Sequence, residues 1–472
     1  MTRPLPLLCL LAVLLGTGTA AAEPGPRVVK LTVTPAVPPT PALKYHLLPW
    51  VGELRPGNGA VFYQRAHSPD FVQILSRPAE FSQFTESLDK PWSREMADKL
   101  DQRANIAAVS ELDVAARCEY VDWQLSDRFR EENYFLLIPD VQAMRSLAAL
   151  LAVRARLEMH RGELDKAVYS LQTGLALGRD VAHTPSLVCG LVGLAVSGIM
   201  LNRAEELIQL PATPNLYWAL TDLPEPLIDL RRALQGERMQ LGSLLPEIRD
   251  ALKGPRLTPV APATIRARLD RLNGLGLQLP GAGYAALFAM EYPRARDHFL
   301  AQGYRAEQLE ELPVSQVVLM YELAVYDRWM DAQSKLWGLP YWQARPVLAR
   351  VNEEMIAARR ERVDGIIAAQ LIPAVMKIYL AQVRLQRRVA LLRTVEAIRL
   401  HAATQGGKLP DALEDVQVVP VPTDPMTGKL FHYHRHAPGR ATLEGLPPPG
   451  EAANEGNAVR YEITLGPAPP KQ

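Results

Sequence analysis

Three of the nine histidines in the chain, His432, His434 and His436, alternate along one short segment. In an extended strand, side chains two residues apart lie on the same face, so the three imidazoles would share a face. Zinc and copper accept imidazole ligands. A zinc site usually needs a further ligand and supporting hydrogen bonds, and the sequence identifies neither. The three histidines are therefore weak metal candidates, and we expect a water-exposed face without a resident metal ion.

Motifs of known enzyme classes are scarce. Ser87 and Lys90 have the S-x-x-K spacing of serine acyl-transferases, but the companion motifs of those enzymes are missing. No zinc-protease, nucleophile-elbow or nucleotide-binding motif occurs in a usable context. Acidic pairs such as Glu310–Glu311 are typical of exposed helix surfaces. The sequence thus predicts no catalytic residue, no cofactor-binding residue and no cofactor.

The histidine segment follows a turn with little backbone freedom. Pro422 and Pro425 restrict φ, and Gly428 can adopt positive φ at little cost. In the strand that follows, Phe431 and Tyr433 point away from the histidine face. The segment 458–465 predicts a second strand that pairs with the first, and 441–445 a short third strand. We expect the aromatic face of this small antiparallel β tail to pack on the preceding helix.

The body of the chain has helical periodicity. Apolar residues between Met144 and Met159 recur at helical spacing, Gly162 turns the chain, and a second apolar stripe begins at Leu164. This hairpin resembles one tetratricopeptide repeat. No second copy occurs at the required period, so an ordinary hairpin within a multi-helix body is the preferred interpretation.

A long final helix is predicted to begin near Pro373 and to end at Gly406–Gly407. Its apolar stripe contains Ile378, Leu385, Val389 and Leu392. Four arginines lie mostly off that stripe, and such a charge run is typical of a solvated helix face. These arginines are Arg384, Arg387, Arg393 and Arg399.

Two patterns admit alternative interpretations. Ser186–Leu201 carries no charge but is short for a membrane span, which favours a buried core helix over a transmembrane one. Aromatic residues cluster within 120–135, at 217–218 and within 337–342. Helix packing is preferred for them over a groove that binds a peptide or a glycan.

The first 22 residues have the features of a signal peptide: Arg3, an apolar run, and small residues ending at Ala22. Six prolines in 23–43 predict a disordered tether. The remaining predicted units are a helical body (44–372) and the long helix with its β tail (373–472). We expect export to the periplasm or beyond, without stable membrane insertion after signal cleavage.

The charge balance bears on the class of partner, and the cysteine content bears on disulfide formation. Without residues 1–22 the chain has 51 acidic residues and as many basic ones, so no charge excess favours nucleic acid. Export makes a disulfide between Cys118 and Cys189 chemically feasible, and the sequence leaves it open. Oligomeric state is open as well.

Most of residues 41–465 resembles a family of uncharacterised exported proteins of planctomycete-type bacteria. The resemblance runs through segments such as CEYVDWQL and NLYWALTDLPEPLIDLRRALQGER. It implies no activity. The tail is similar to the C-terminal turn and sheet of pseudopilins and type IV pilins, through Leu409-Pro410, Leu413, Asp424-Pro425, Gly428 and Tyr433. Pilins carry a prepilin-peptidase site where this chain has an A-x-A signal, so a pilus subunit is not expected.

Two classes of function follow from the sequence. The first is an exported, non-enzymatic interaction or structural protein, with another envelope protein or a peptide as its partner. The second is an envelope hydrolase or metal-dependent enzyme without a recognisable motif. A pocket lined by several titratable groups would favour the enzyme, and a groove without them would favour the interaction protein.

Overall fold

The structure is a computed structural model of the 472-residue chain. It describes residues 25–68, 88, 90, 93, 107–136, 139–211, 213–253, 257–277, 283–361, 364–372 and 375–467. The fold is mainly α-helical with a small sheet, as the sequence predicts. Pro373, the predicted start of the last helix, lies outside the described residues.

Helices account for most of the described chain. They are α1 (Gly59–Ala66), α2 (Ala107–Ala115), α3 (Ser126–Glu132), α4 (Pro139–His160), α5 (Leu164–Ala182), α6 (Leu187–Leu207), α7 (Tyr217–Thr221), α8 (Arg231–Leu244), α9 (Pro246–Ala251), α10 (Pro262–Asn273), α11 (Tyr284–Ala301), α12 (Ala306–Glu310), α13 (Val314–Ser334), α14 (Tyr341–Glu361), α15 (Ile366–Leu371) and α16 (Val375–Thr404).

Six strands form two sheets. They are β1 (Arg27–Val33), β2 (Arg55–Asn58), β3 (Cys118–Tyr120), β4 (His432–Ala437), β5 (Arg440–Gly445) and β6 (Val459–Leu465). The larger sheet has the order β1–β6–β5–β4, with β1 parallel to β6 and the other pairs antiparallel. The predicted third strand, β5, therefore separates the two strands expected to pair. The short turn after β4 makes β4 and β5 a hairpin, so β6 pairs with the other side of β5.

The hairpin of α4 and α5 packs together with α6 at the centre of the body. Gly162 turns the chain with φ of +75°, as predicted. Gly193 of α6 faces Gly178 and Ala182 of α5, and Ser197 also faces Gly178. A Cβ atom on either glycine would collide with the facing helix, so small residues allow the close approach of α5 and α6.

The segment predicted as a disordered tether contains strand β1. Prolines flank β1, but none lies within it, and Leu31 and Val33 alternate with exposed Lys30 and Thr32. Leu31 and Val33 are 1% and 0% exposed. The tether prediction is wrong here because proline content masked a short pattern with period two. Strands were also expected mainly after Gly428, and β1 adds one from the opposite end of the sequence.

Two arginines of the last helix are buried, which contradicts the predicted solvated face. Arg387 is 3% exposed and Arg399 is 0% exposed. Nη1 of Arg399 lies 2.7 Å from Oε1 of Glu396, and its Nε and Nη2 donate to the carbonyls of Thr34 and Thr213, both at 2.9 Å. A buried charge is tolerated where an opposite charge and further acceptors surround it, so charge alone did not report exposure.

Among the described residues, two stretches are long and apolar enough to cross a membrane, by length and composition alone: Leu187–Leu207 and Ile366–Thr404. In this fold 72% and 62% of their most apolar windows are buried within the protein. One hydrophobic cluster continues from Leu31 in β1 through the helices to Ile463 in β6. Cys118 and Cys189 are both buried and free, so the disulfide left open by the sequence is not formed.

Candidate functional site: a cleft at the end of the sheet

A cleft of about 610 Å³ opens where β4 begins. Five stretches line it: residues 412–414 after the last helix, the 424–431 turn, the start of β4, Glu444 in β5, and 446–449 after β5. Its apolar lining consists of Ala412, Leu413, Leu430, Phe431, Tyr433, Leu446, Pro447 and Pro449. Its titratable lining consists of Glu414, Asp424, Lys429, His432, Tyr433 and Glu444.

The turn that positions one side of the cleft is held by its own backbone. The carbonyl of Asp424 accepts from the N–H groups of Thr427 and Gly428 at 3.1 and 2.8 Å, and its Oδ1 accepts from Met426 N–H at 2.9 Å. Gly428 has φ of +72°, and a Cβ there would lie 2.7 Å from the Trp342 ring. Both the backbone angle and the tryptophan require glycine at this position.

Arg387 of α16 fastens this turn and the strand connections to the last helix. Its Nε and Nη2 donate to Oδ2 of Asp424 at 3.0 and 2.6 Å. Its Nη1 donates to the Asn457 carbonyl at 2.7 Å, and Nη2 also donates to the Leu446 carbonyl. Burial raises the pKa of Asp424, and Arg387 opposes that shift. One side chain therefore ties three segments of the tail to the helix.

The other carboxylate deep in the cleft is also paired. Glu444 accepts from Nε of Arg460 on β6, and its Oε2 lies 3.2 Å from Nδ1 of His432 on β4. Tyr433 donates its hydroxyl to the Pro410 carbonyl at 3.0 Å, and burial raises the pKa of Tyr433. Arg435 pairs with Asp411. Asp424, His432 and Glu444 of the cleft lining thus already have partners.

The three histidines lie on the wet face of β4, as expected from strand alternation. His432, His434 and His436 are all exposed. The rings of His434 and His436 are 4.5 Å apart between centroids, and Nε2 of His436 lies 3.2 Å from Oγ1 of Thr442. Within the described parts of the chain, no group of three or more His, Cys, Asp or Glu side chains is placed to hold a metal ion.

The other residues singled out by the sequence lie away from the cleft. Ser87 is outside the described residues, and the carbonyl of Lys90 accepts from Arg156. Burial raises the pKa of the Cys189 thiol to about 12, which suits a structural thiol rather than a nucleophile. Glu310 and Glu311 are exposed.

Most of the predicted aromatic residues serve packing. Phe129, Tyr134, Tyr217, Trp337 and Tyr341 are buried, whereas Tyr120, Trp218 and Trp342 are more than a third exposed. The Trp337 ring stacks on Tyr379 with 4.6 Å between centroids. Trp342 covers Gly428 beside the cleft. The packing interpretation holds for the buried members, and Trp342 contributes to the outer support of the turn.

A pair of buried carboxyl groups escaped sequence analysis. Glu291 of α11 and Glu322 of α13 are 0% exposed and accept the four backbone N–H groups of residues 365–368 at 2.8–3.2 Å. Burial and the neighbouring Glu291 raise the pKa of Glu322 well above its ordinary range. Oε2 of Glu291 has no donor among the described residues, and a proton held on Glu322 would supply one. The sequence does contain a feature that could identify Glu322, because it is the one charged residue in the apolar run from Val317 to Val325.

Glu237 of α8 is a third buried carboxyl group of the helical body. It is 3% exposed, and Oε1 accepts from the backbone N–H of Leu187, at the start of α6, at 3.3 Å. Burial raises its pKa to about 7, and the Leu187 hydrogen bond opposes that shift only in part. This group links α8 to the start of α6 and does not line the cleft at the end of the sheet.

Comparisons of the chain with protein-family models, with curated proteins and with solved structures find no match. The resemblances to exported planctomycete-type proteins and to pseudopilin tails therefore stay predictions. The function has to be argued from the cleft and its surroundings.

Proposed function

We propose that this protein is a non-enzymatic interaction protein of the cell envelope. It is exported by the signal at residues 1–22 and binds a peptide or another envelope protein in the cleft at the end of the sheet. The neutral charge balance and the mostly buried apolar helices support a partner that is neither nucleic acid nor membrane.

The pairing of Asp424 and Glu444, the two cleft carboxylates that are not fully exposed, carries this proposal. A general acid or base must exchange a proton with substrate and needs a pKa near the working pH. Asp424 is held by Arg387, and Glu444 by Arg460 and His432. The apolar and proline-rich lining that remains is suited to holding a peptide chain rather than to breaking one.

The alternative, an envelope hydrolase or metal-dependent enzyme, needs an accessible cluster of titratable side chains. The six titratable side chains of the cleft lining are the observation that favours this alternative. Asp424 is already bound to Arg387, however, and Glu444 to Arg460 and His432. Glu291 and Glu322 form a second cluster, but both are fully buried and bound to backbone amides.

Site-specific photo-crosslinking tests the proposal. A photoreactive amino acid at Leu446, an exposed apolar residue of the cleft, should capture a defined partner in envelope preparations. The same amino acid at Lys377, exposed on α16, is the matched control. The captured protein, once purified, should bind the wild type at least tenfold more tightly than Leu446→Glu. Identical capture at both positions, or equal binding to both proteins, would contradict the proposal.

Export is tested separately by N-terminal sequencing of the protein recovered from the envelope fraction. The expected first residue is Glu23, because the signal ends in Ala20–Ala22. A retained N-terminus, or association with membranes that survives carbonate washing, would refute this part.

A further inference from the structure

Strand β4 forms an open edge of the sheet. In an antiparallel ladder the backbone groups of every second residue point away from the partner strand. β4 pairs only with β5, and no other described residue hydrogen-bonds to the backbone of His432–Ala437. His432 and Tyr433 belong both to this edge and to the cleft lining. An extended segment in the cleft can therefore continue along β4 as a fifth strand.

The two faces of β4 differ in chemistry. A residue opposite Tyr433 in an added strand would point toward the apolar side of the cleft, with Phe431 and Leu446. A residue opposite His434 would point to the wet face, among groups that donate hydrogen bonds. The added strand thus meets an apolar site opposite Tyr433 and donor groups opposite the histidines. Opposite Arg435 it meets the ion pair of Arg435 with Asp411.

The wet face beside β4 has unused donors. His434 has no hydrogen-bond partner and Arg440 no ion-pair partner among the described residues, and both are exposed. An imidazole donates N–H in its neutral and its charged form. Glu444, the carboxylate on this face beside β4, is already taken by His432 and Arg460. Carboxylates of a partner are the groups that would complement this face.

A second copy of the chain fits the same edge poorly. Antiparallel pairing of β4 with its own copy would bring imidazole and guanidinium donors of both copies together without a carboxylate acceptor, since HYHRHA contains no acidic residue.

We propose that the partner is an extended segment of another protein, with alternating acidic and apolar residues, that adds to β4 as a fifth strand. This inference rests on the proposed function, because it specifies the chemistry of the ligand in the same cleft. Backbone hydrogen bonds to β4 supply part of the affinity, and the alternation supplies the specificity.

Fluorescence anisotropy with three synthetic peptides tests the proposal on the purified protein. The first is a ten-residue peptide of alternating glutamate and valine. The second replaces glutamate by lysine, and the third is the Glu/Val peptide with N-methyl groups on alternate backbone amides. We expect the first to bind at least tenfold more tightly than the others. Equal binding of the Lys/Val peptide would overturn the acidic chemistry, and equal binding of the N-methylated peptide would overturn strand addition.

Variants that introduce glutamate on one edge strand or the other test which edge of the sheet binds the peptide. The double variant His434→Glu/His436→Glu should weaken binding of the Glu/Val peptide at least tenfold. Lys30→Glu, on the same wet face but on the opposite edge strand β1, should change it less than twofold. An equal loss of peptide binding in both variants would overturn the assignment to β4. A wild-type dimer that the double variant abolishes would overturn the proposal too, because a second copy of the chain would then occupy the edge.

Failure of this proposal is distinguishable from failure of the proposed function. If no peptide binds, yet the partner crosslinked at Leu446 still discriminates Leu446→Glu, the cleft is a binding site and only the ligand chemistry is wrong. If no peptide binds and the crosslinked partner does not discriminate Leu446→Glu from the wild type, the cleft is not the binding site.

Discussion

Two buried carboxyl groups at the last helix and two of those in the helical body are neutralised differently. Asp424 and Glu396 meet the guanidinium groups of Arg387 and Arg399. Glu322 and Glu237 instead accept backbone N–H groups, and neither forms an ion pair among the described residues. Burial then raises the pKa of both, so that a bound proton removes the charge.

An arginine and a bound proton both neutralise a buried carboxylate, but they differ in what else they do. An arginine has five donors in a fixed plane, so it neutralises a carboxylate and also fastens distant segments, as Arg387 does at the cleft. A proton only neutralises, and its presence depends on pH. The native state with a raised carboxyl pKa binds protons that the unfolded state has released, so stability falls as pH rises through that interval. Burial raises the pKa of Asp424 and Glu396 as well, but their arginines oppose that shift, so the loss of stability with rising pH should come mainly from the body.

Removal of the arginine that fastens the tail should have the largest effect. Arg387→Ala leaves Asp424 buried without its partner and two carbonyls without a donor, so we expect a loss of about 3–5 kcal/mol in the free energy of unfolding. Urea unfolding at pH 7 measures it. Lys377→Ala, an exposed change on the same helix, should cost less than about 0.5 kcal/mol. A similar small loss in both would mean that the tail is held by packing alone.

Phe431→Ala tests packing at the same attachment. The ring is 4% exposed and lines the cleft, and its removal should cost about 3 kcal/mol by lost burial and cavity formation. Thermal melts compared with Phe431→Leu, which keeps most of the apolar volume, measure it. A negligible loss in Phe431→Ala would contradict the role of the ring in seating the tail.

The same chemical change in the two classes of carboxyl group should have opposite effects. Glu237→Gln mimics the protonated acid and should leave stability unchanged near pH 4, but raise it by up to about 3 kcal/mol at pH 8. The native pKa of about 7 lies above the unfolded value of 4.5, so the wild type loses stability as pH rises from about 4.5 to about 7.

Glu396→Gln should instead destabilise the protein by about 2 kcal/mol at pH 7, because Arg399 loses its counter-charge while still buried. Urea unfolding of both variants from pH 4 to pH 8 distinguishes the classes. If the free energy of unfolding depended on pH in the same way in both variants, the distinction between carboxyl groups neutralised by a proton and those neutralised by an arginine would be wrong.

The smallest effect is expected at the histidines. Replacing His432, His434 and His436 together by Gln should change stability by less than about 0.5 kcal/mol, because all three are exposed. Thermal melts with added Zn²⁺ and with a chelator provide the check. A loss of several degrees, matched by the effect of chelator on the wild type, would assign the histidines to a metal site.

The sequence predicts periodic features well and neutralised charges poorly. The helices, the Gly162 turn and strands β5 and β6 follow from spacing and turn residues. The charges of Arg387 and Arg399 suggested exposure. Asp424 is distant in sequence from Arg387, and so are the Thr34 and Thr213 carbonyls from Arg399. Glu396 lies only three residues from Arg399, but a charged pair at that spacing is typical of an exposed helix face. Strand β1 was obscured by flanking prolines.

The same limit applies to the site. Strand alternation placed the histidines and Phe431 on opposite faces of β4, and proline and glycine positions identified the turn. The cleft forms only where residues 412–414, 424–433 and 446–449 come together. These segments are separate in sequence, and no local sequence pattern predicts their contact. Glu322 was recognisable only as a charge inside an apolar run.

The parallel pairing of β1 with β6 has a consequence for the order of assembly. Arg27 lies opposite Val459, so nearly all of the described chain is synthesised between the two halves of this pair. The hairpin of α4 and α5 can form as soon as its own residues are available, whereas β1 has no sheet to join until β6 exists. Contacts so distant in sequence form slowly. We therefore expect β1 to join the sheet last, after β4, β5 and β6 have paired.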